Sequence, residues 1–127
     1  AAASDVYKRQ PSDYSSIFVI EIASSSTLRL GQTSSSSTVQ TSSPILSGSI
    51  SATANSLLVG FAASGENGTD GVYSWNNGFV SQTEITSISY WPGPIATKSI
   101  SSDSVEEASM RTTQVQDGTA LLIELIL

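Results

Sequence analysis

The sequence predicts an all-β protein: an antiparallel, jelly-roll-like β-sandwich of about eight or more short strands. Three observations predict this fold. After residue 10, apolar residues do not recur at helical spacing over three turns. Short runs of β-branched and aliphatic residues instead recur about every ten residues, with turn residues between them. With 27 Ser and 12 Thr among 127 residues, hydroxyl-rich strands are expected to surround a small aliphatic interior.

The predicted strands follow one another along the whole chain. Asn77-Gly78 and Asp117-Gly118 offer the positive φ angles of tight hairpin turns. Two prolines in the segment 91–94 lack an N–H and cannot continue a central strand. The strands predicted on this basis are Ile17–Ala23, Thr27–Gln32, Ser37–Gln40, Ile45–Ala52, Ser56–Ala63, Val72–Trp75, Gly78–Gln82, Ile85–Trp91, Ile95–Ile100, Ala108–Val115 and Thr119–Leu127.

Two segments carry more specific expectations. Leu57–Ala63 is apolar on both faces, so we expect it at the centre of a sheet. Ser102–Met110 is the one stretch with helical leanings, because its Ser-Asp-Ser start and Glu106-Glu107 could cap a short turn. Its carboxylates are predicted to be solvated at the surface, not paired for glycoside hydrolysis.

Composition excludes several classes of function. The chain has no His and no Cys, which excludes Ser-His-Asp and Cys-His catalysis, Cys/His zinc sites and disulfides. A net charge of −6 with only five cations argues against nucleic-acid or anionic-membrane partners. No apolar run approaches the ~20 residues of a membrane span. We therefore predict a noncatalytic protein with no cofactor.

The first ten residues are set apart from the fold. Residues 2–10 resemble one translation frame of an adapter used to prepare sequencing libraries, so residues 1–10 are interpreted as an adapter-derived scar. A natural polar tail is the alternative interpretation. An adapter scar would imply that the sequence comes from environmental or shotgun DNA.

An internal similarity predicts the domain organisation. Ser16–Ile22 and Thr119–Leu125 agree in residue type at seven positions, with an offset of 103 residues that places Glu21 on Glu124. This offset predicts tandem copies. Residues 11–26 would be the last strand of a preceding, truncated copy plus a linker, and residues 27–127 one complete sandwich. Alternatively, the early strand adds to an open sheet edge in the same chain or in a neighbour, and a third interpretation is that any two buried strands look alike.

Strand alternation predicts which residues of these two segments face outward. The outer residues would be Ile17, Val19, Glu21 and Ala23 in the first segment, and Ala120, Leu122, Glu124 and Ile126 in the second. Such faces would be mostly apolar, and an apolar stripe in water is unfavourable. We therefore expect an interface with neighbouring copies or subunits at Val19, Glu21, Leu122, Glu124 and Ile126.

A resemblance rests on three motifs within residues 27–127: Leu57–Ala63, the segment Trp75–Phe79, and Ala120–Leu125. Together they resemble β-sandwich modules of phage virion and tail-fibre proteins and of bacterial surface proteins. The resemblance implies a structural or display role, in tandem, on a virion or an extracellular surface. It carries no catalytic residues. The insert of residues 65–71 departs from the usual pattern.

The sequence contains two candidate ligand sites. Glu66, Asn67 and Asp70 gather the oxygen donors that calcium requires, although the same composition is ordinary for a turn. Trp91, with Tyr90 or Tyr73, could form a platform that stacks on sugar rings. The alternative function is therefore a carbohydrate-binding module that recognises surface glycans.

Overall fold

Eight β-strands make up the regular structure of the described residues. The computed structural model describes residues 20–41, 44–64, 73–82, 95–112 and 116–127. The strands are β1 (Arg29–Thr41), β2 (Ile45–Ala52), β3 (Ser56–Ser64), β4 (Tyr73–Trp75), β5 (Val80–Ser81), β6 (Ile95–Ile100), β7 (Ser104–Thr112) and β8 (Gln116–Ile126).

The strands form two antiparallel sheets with a nested order, which confirms the predicted fold class. One sheet has the order β1-β8-β3-β6-β5 and the other β2-β7-β4. The first strand pairs with the last, the second with the seventh and the third with the sixth. This wrapped arrangement is that of a jelly roll. Here β5 pairs with β6 in the larger sheet and not with β4.

The core lies between the two sheets and is built mainly from aliphatic side chains. Leu58 on β3 and Leu122 on β8 face Ile50 and Ala108 of the smaller sheet. Trp75 is half-buried and packs against both core clusters. As expected, Leu57–Ala63 belongs to the central strand of the larger sheet, because β3 has β8 on one side and β6 on the other.

Three sequence predictions about local structure are wrong. Asp117-Gly118 is not a turn but part of β8, and Gly118 is required because a Cβ there would overlap Ile45 Cδ1. Ser102–Met110 contains no helical turn, since β7 begins at Ser104. The predicted strands Thr27–Gln32 and Ser37–Gln40 are not separate, because residues 29–32 of the first and all of the second belong to β1, while Thr27 and Leu28 precede it.

The expected turn at Asn77-Gly78 is confirmed, with φ angles of 58° and 79°. The N–H of Phe79 donates to the Asn76 carbonyl at 3.2 Å. However, β4 and β5, which flank this turn, belong to different sheets. The turn therefore connects the two layers of the sandwich and does not close a hairpin.

Side chains join β1 to β2 where the two sheets meet. The hydroxyl of Ser34 donates to the Ser47 carbonyl at 2.8 Å, and the Ser51 N–H donates to Gln32 Oε1 at 3.1 Å. These bonds use backbone groups of β2 that a sheet edge would otherwise expose. An exposed row of such groups invites pairing with another chain. Side-chain bonds thus occupy part of this edge.

Candidate functional site

The most unusual buried group is the carboxylate of Glu124, near the C-terminal end of β8. The residue is 1% exposed, although carboxylates are rarely buried without partners. Glu124 Oε2 accepts the N–H of Gln32 at 2.9 Å, and Oε1 accepts the N–H of Thr53 at 2.6 Å. One side chain thereby ties β8 to the edge strand β1 and to the turn between β2 and β3.

A β-bulge in β1 creates the place for this carboxylate. Leu30 lies opposite Leu125 and Thr33 opposite Ile123, so two residues of β1 face the single residue Glu124. Gly31 is the first of the two. A Cβ on Gly31 would overlap the carboxylate of Glu124, so glycine is needed for the close approach.

The hydrogen bonds determine the charge state of Glu124. Burial raises the pKa of this carboxyl, but backbone N–H donors of Gln32 and Thr53 lower it, and the hydroxyls of Ser56 and Thr53 add to that lowering. The net result is a pKa below the ordinary value of 4.5. Glu124 is therefore an anion at neutral pH, held by dipoles, with no ion-pair partner among the described residues.

In the turn between β2 and β3, three successive backbone N–H groups donate hydrogen bonds to acceptors in different parts of the chain. Besides the bond from Thr53 to Glu124, the Ala54 N–H donates to Asp103 Oδ1 at 2.8 Å. The Asn55 N–H donates to the Ile100 carbonyl at 2.8 Å. Asn55 has a φ of 61°, a conformation that asparagine tolerates better than most residues. This end of the sandwich is thus fixed by two carboxylates.

A second polar cluster crosses between the sheets at Lys98. Its Nζ lies 2.6 Å from Glu106 Oε2, donates to the Asn77 carbonyl at 2.8 Å and lies 5.9 Å from the centre of the Phe79 ring. The Ser104 hydroxyl donates to the other oxygen of Glu106 at 2.8 Å. Glu106 is therefore not the solvated surface carboxylate that the sequence predicted, because Lys98 reaches it from the opposite sheet.

The outer face of the larger sheet, defined as the face turned away from the smaller sheet, is apolar. Register places Leu57, Val59 and Phe61 of β3 on it, and alternation adds Leu121, Ile123 and Leu125 of β8 and Ile95 of β6. Val59 and Ile95 are 2% exposed, whereas the other five are half-buried. Ser and Thr flank this face on β1 and β6.

The structure corrects the predicted orientation of the last strand. Leu122 and Glu124, expected on an outward interface, are 0% and 1% exposed and lie between the sheets. Leu122 packs in the intramolecular core, and Glu124 is held by the bulge. The outward side chains of β8 are instead those of Leu121, Ile123 and Leu125. Alternation gave the two sets correctly, but only the packing of the smaller sheet decides which set is inside.

The remaining predicted interface residues are placed as follows. Ile126 is half-buried and Glu21 is exposed. Val19 lies outside the described residues. Residues 20–23, the described part of the predicted strand Ile17–Ala23, are not in a strand.

Most of the predicted ligand residues lie outside the described residues. This applies to the calcium candidates Glu66, Asn67 and Asp70 and to the aromatic residues Tyr90 and Trp91. The backbone of Tyr73 pairs with Thr112 in the smaller sheet. Both ligand sites therefore stay predictions.

Sequence reasoning did not find Gly31, Gln32 and Thr53 as partners of Glu124. The one available signal was Glu124 itself, a single carboxylate inside an apolar strand, which requires a nearby donor when buried. The donors are backbone N–H groups separated from Glu124 by 92 and 71 residues. Backbone donors have no side-chain signature, so the sequence could not identify them.

Two kinds of feature are absent from the described residues. Within them, no group of three His, Cys, Asp or Glu side chains could hold a metal ion. No helix in the described ranges is long and apolar enough to cross a membrane. The buried indole N–H of Trp75 has no hydrogen-bond partner in the described part of the chain. In comparisons with known proteins, no family model, no curated protein and no solved structure matches the chain.

Proposed function

We propose that this chain is a noncatalytic structural or display module of a virion or an extracellular surface protein, one of several tandem copies that pack against each other. The observation that carries the proposal is the apolar outer face of the larger sheet. In a sandwich whose core lies between its sheets, an apolar outer face is not needed for that core. Val59 and Ile95 on this face are already buried within the chain, and contact with a neighbouring copy would remove the half-buried remainder from water.

The outer face of the smaller sheet is more polar, which supports the larger sheet as the packing surface. On the smaller sheet, the outer face carries Ser49 and Ser51 on β2 beside the half-buried Leu46, and on β7 it carries Val105, which is 74% exposed. The larger sheet presents apolar side chains from three neighbouring strands. This asymmetry favours one packing face per module.

The charge distribution permits a second copy of the module to pack on this face. The chain has a net charge of −6, so two copies repel each other on average. The apolar residues that define the outer face are uncharged, and the Ser and Thr residues on its flanks can hydrogen-bond to their counterparts. Two copies that meet here avoid placing like charges at their contact.

The experiment measures self-association of the whole chain by sedimentation velocity across a concentration series. The test variant combines Leu121→Thr and Ile123→Thr, which introduce strand-forming, β-branched threonine side chains and remove apolar surface. The matched control is Val105→Thr on the smaller sheet. We expect the parent and the control to form dimers or larger assemblies, and the double variant to associate at least tenfold more weakly.

Two results would contradict the proposal. If the parent chain stays monomeric at all concentrations, the module does not pack against other copies through this face. The outer face would then be covered from within the same chain. If all three proteins associate equally strongly, the contact between copies does not lie on the outer face of the larger sheet. The proposed location on a virion is tested separately by the neighbouring genes. Tail or capsid genes beside the source gene would support it.

A further inference from the structure

The turn between β4 and β5 places a reactive dipeptide, Asn77-Gly78, at the surface. Both residues are exposed, and the Gly78 N–H donates no hydrogen bond to the described residues. Glycine has no Cβ, so little hinders the approach of its backbone nitrogen to the carboxamide of the preceding residue. The turn therefore carries the two groups that react in spontaneous deamidation, the asparagine carboxamide and an unhindered backbone nitrogen that follows it.

The reaction consists of two steps and consumes only water. The backbone nitrogen of Gly78 forms a bond to Cγ of Asn77, while the bond from Cγ to Nδ2 breaks. The Nδ2 group leaves as ammonia and takes with it the proton of the Gly78 N–H. Water then opens the cyclic imide at one of its two carbonyls, which leaves aspartate or isoaspartate at position 77. Either product adds one negative charge to the chain.

Two hydrogen bonds restrain Asn77 in the folded turn. Its Nδ2 donates to the Glu107 carbonyl on β7 at 3.0 Å, and its backbone carbonyl accepts a bond from Lys98 Nζ on β6 at 2.8 Å. Ring closure brings Cγ onto the Gly78 nitrogen and turns the carbonyl between them. It therefore disturbs both bonds, and the tip of the turn must open before the reaction takes place.

The surroundings of the turn allow its tip to open without unfolding of the sandwich. The flanking strands β4 and β5 have three and two residues and belong to different sheets. On either side of the tip, the Asn76 N–H donates to the Ser109 carbonyl at 2.9 Å, and Phe79 is buried in the core. Segments with few contacts open locally while the core stays folded. The two exposed residues of the tip can thus move between fixed ends.

A second asparagine with the same backbone conformation provides a comparison within the chain. Asn55 has a φ of 61°, close to the 58° of Asn77. It is followed by Ser56, which is 2% exposed and lies in β3 between β6 and β8. A backbone nitrogen fixed in the middle of a sheet cannot turn toward the preceding side chain. The left-handed conformation alone therefore does not make an asparagine reactive.

We propose that Asn77 is a site of spontaneous deamidation whose rate is controlled by its hydrogen bonds to Lys98 and Glu107. The modification is independent of the packing of modules against each other. It would weaken the connection between the two sheets, because aspartate has no N–H to donate to the Glu107 carbonyl. Isoaspartate would in addition lengthen the backbone of the tight turn by one carbon. The modified fraction would record how often the turn opens.

The test follows position 77 by peptide mapping of the whole chain during incubation in mildly alkaline buffer. Replacement of NH2 by OH changes the mass of the peptide, and Asn55 is followed in the same digest. We expect Asn77 to convert in the folded chain, but more slowly than in the chain unfolded by guanidinium, while Asn55 of the folded chain stays unmodified. Lys98→Met should accelerate the conversion of Asn77 by roughly two- to tenfold, the effect of one lost hydrogen bond on an opening equilibrium. Val105→Thr, at an exposed position of β7, is the matched control and should leave the rate unchanged.

The remaining outcomes would overturn the proposal. No conversion of Asn77 in the folded chain would show that the turn does not open. Equal rates in the folded and unfolded chains, or an unchanged rate in Lys98→Met, would show that the two hydrogen bonds do not control the reaction. Conversion of Asn55 in Lys98→Met would reveal that this variant unfolds as a whole, and the comparison of folded and unfolded parent chains would then decide.

Discussion

The carboxylate of Glu124 occupies the space in which a side chain on Gly31 would lie. Gly31 begins the bulge of β1, and Glu124 is the single residue of β8 that faces it. The missing Cβ and the buried carboxylate are therefore two parts of one arrangement. Neither is explained by the strand pattern alone.

Gly31→Ala should destabilise the protein. The added Cβ overlaps the carboxylate of Glu124, whose side chain is held at both oxygens and cannot move without losing a bond. We expect a loss of about 1–3 kcal/mol in the free energy of unfolding, the usual cost of overpacking. Urea titration followed by Trp fluorescence measures it. Ser35→Ala, at an exposed position of the same strand, is the control and should change the value by less than about 0.5 kcal/mol.

Stability should decrease in acid because of Glu124. Its folded-state pKa lies below the ordinary value of 4.5, so its contribution is complete above that value and is lost as the pH falls through the folded pKa. We expect the free energy of unfolding to decline progressively below about pH 4.5. Urea titrations at a series of pH values measure this. Contributions from the other carboxyls are removed by subtracting the same series for Glu124→Gln.

Glu124→Gln should itself be destabilising at neutral pH. The amide has one oxygen and one NH2 group, so either the Gln32 N–H or the Thr53 N–H would face a donor. An unsatisfied buried donor costs about 1–3 kcal/mol. Amide hydrogen exchange should show faster exchange at Gln32 or Thr53, while the core strand β3 keeps its protection. Unchanged exchange at both amides would mean that the carboxylate does not hold them.

The Lys98–Glu106 pair should show measurable coupling between the two sheets. The two side chains are 25% and 11% exposed, so solvent screens the pair only in part. A double-mutant cycle with Lys98→Met and Glu106→Gln should give a coupling energy of about 1 kcal/mol, at the upper end for exposed pairs. The coupling should decrease when salt is raised. Independent, additive effects of the two substitutions would show that the contact does not stabilise the sandwich.

Adjacent positions on β8 should respond unequally to truncation. Leu122→Ala leaves a cavity in the core and should cost about 2–5 kcal/mol. Leu121→Ala, one residue away on the outer face, should cost less in the isolated module because Leu121 is only half-buried. Thermal denaturation at low protein concentration measures both. Equal losses would contradict the assignment of the two faces.

Much of the fold could be predicted from local patterns. The all-β class, the central position of Leu57–Ala63 and the turn at Asn77-Gly78 follow from periodicity, apolar runs and turn chemistry. Gly118 shows where such reasoning fails. Asp-Gly has the composition of a hairpin turn, but this glycine is needed because Ile45 approaches the backbone of β8. A glycine required for a turn and one required for close packing look the same in the sequence.

The sequence by itself determined that short amphipathic strands form this protein, because alternation and turn residues act over a few neighbouring positions. It also determined that His and Cys chemistry is absent. Tertiary structure alone decided which face of β8 is inside, because the period of two defines two faces but does not say which one meets the smaller sheet. It also decided that Glu124 is buried as an anion, because the donors that stabilise its charge are backbone groups far away in the chain.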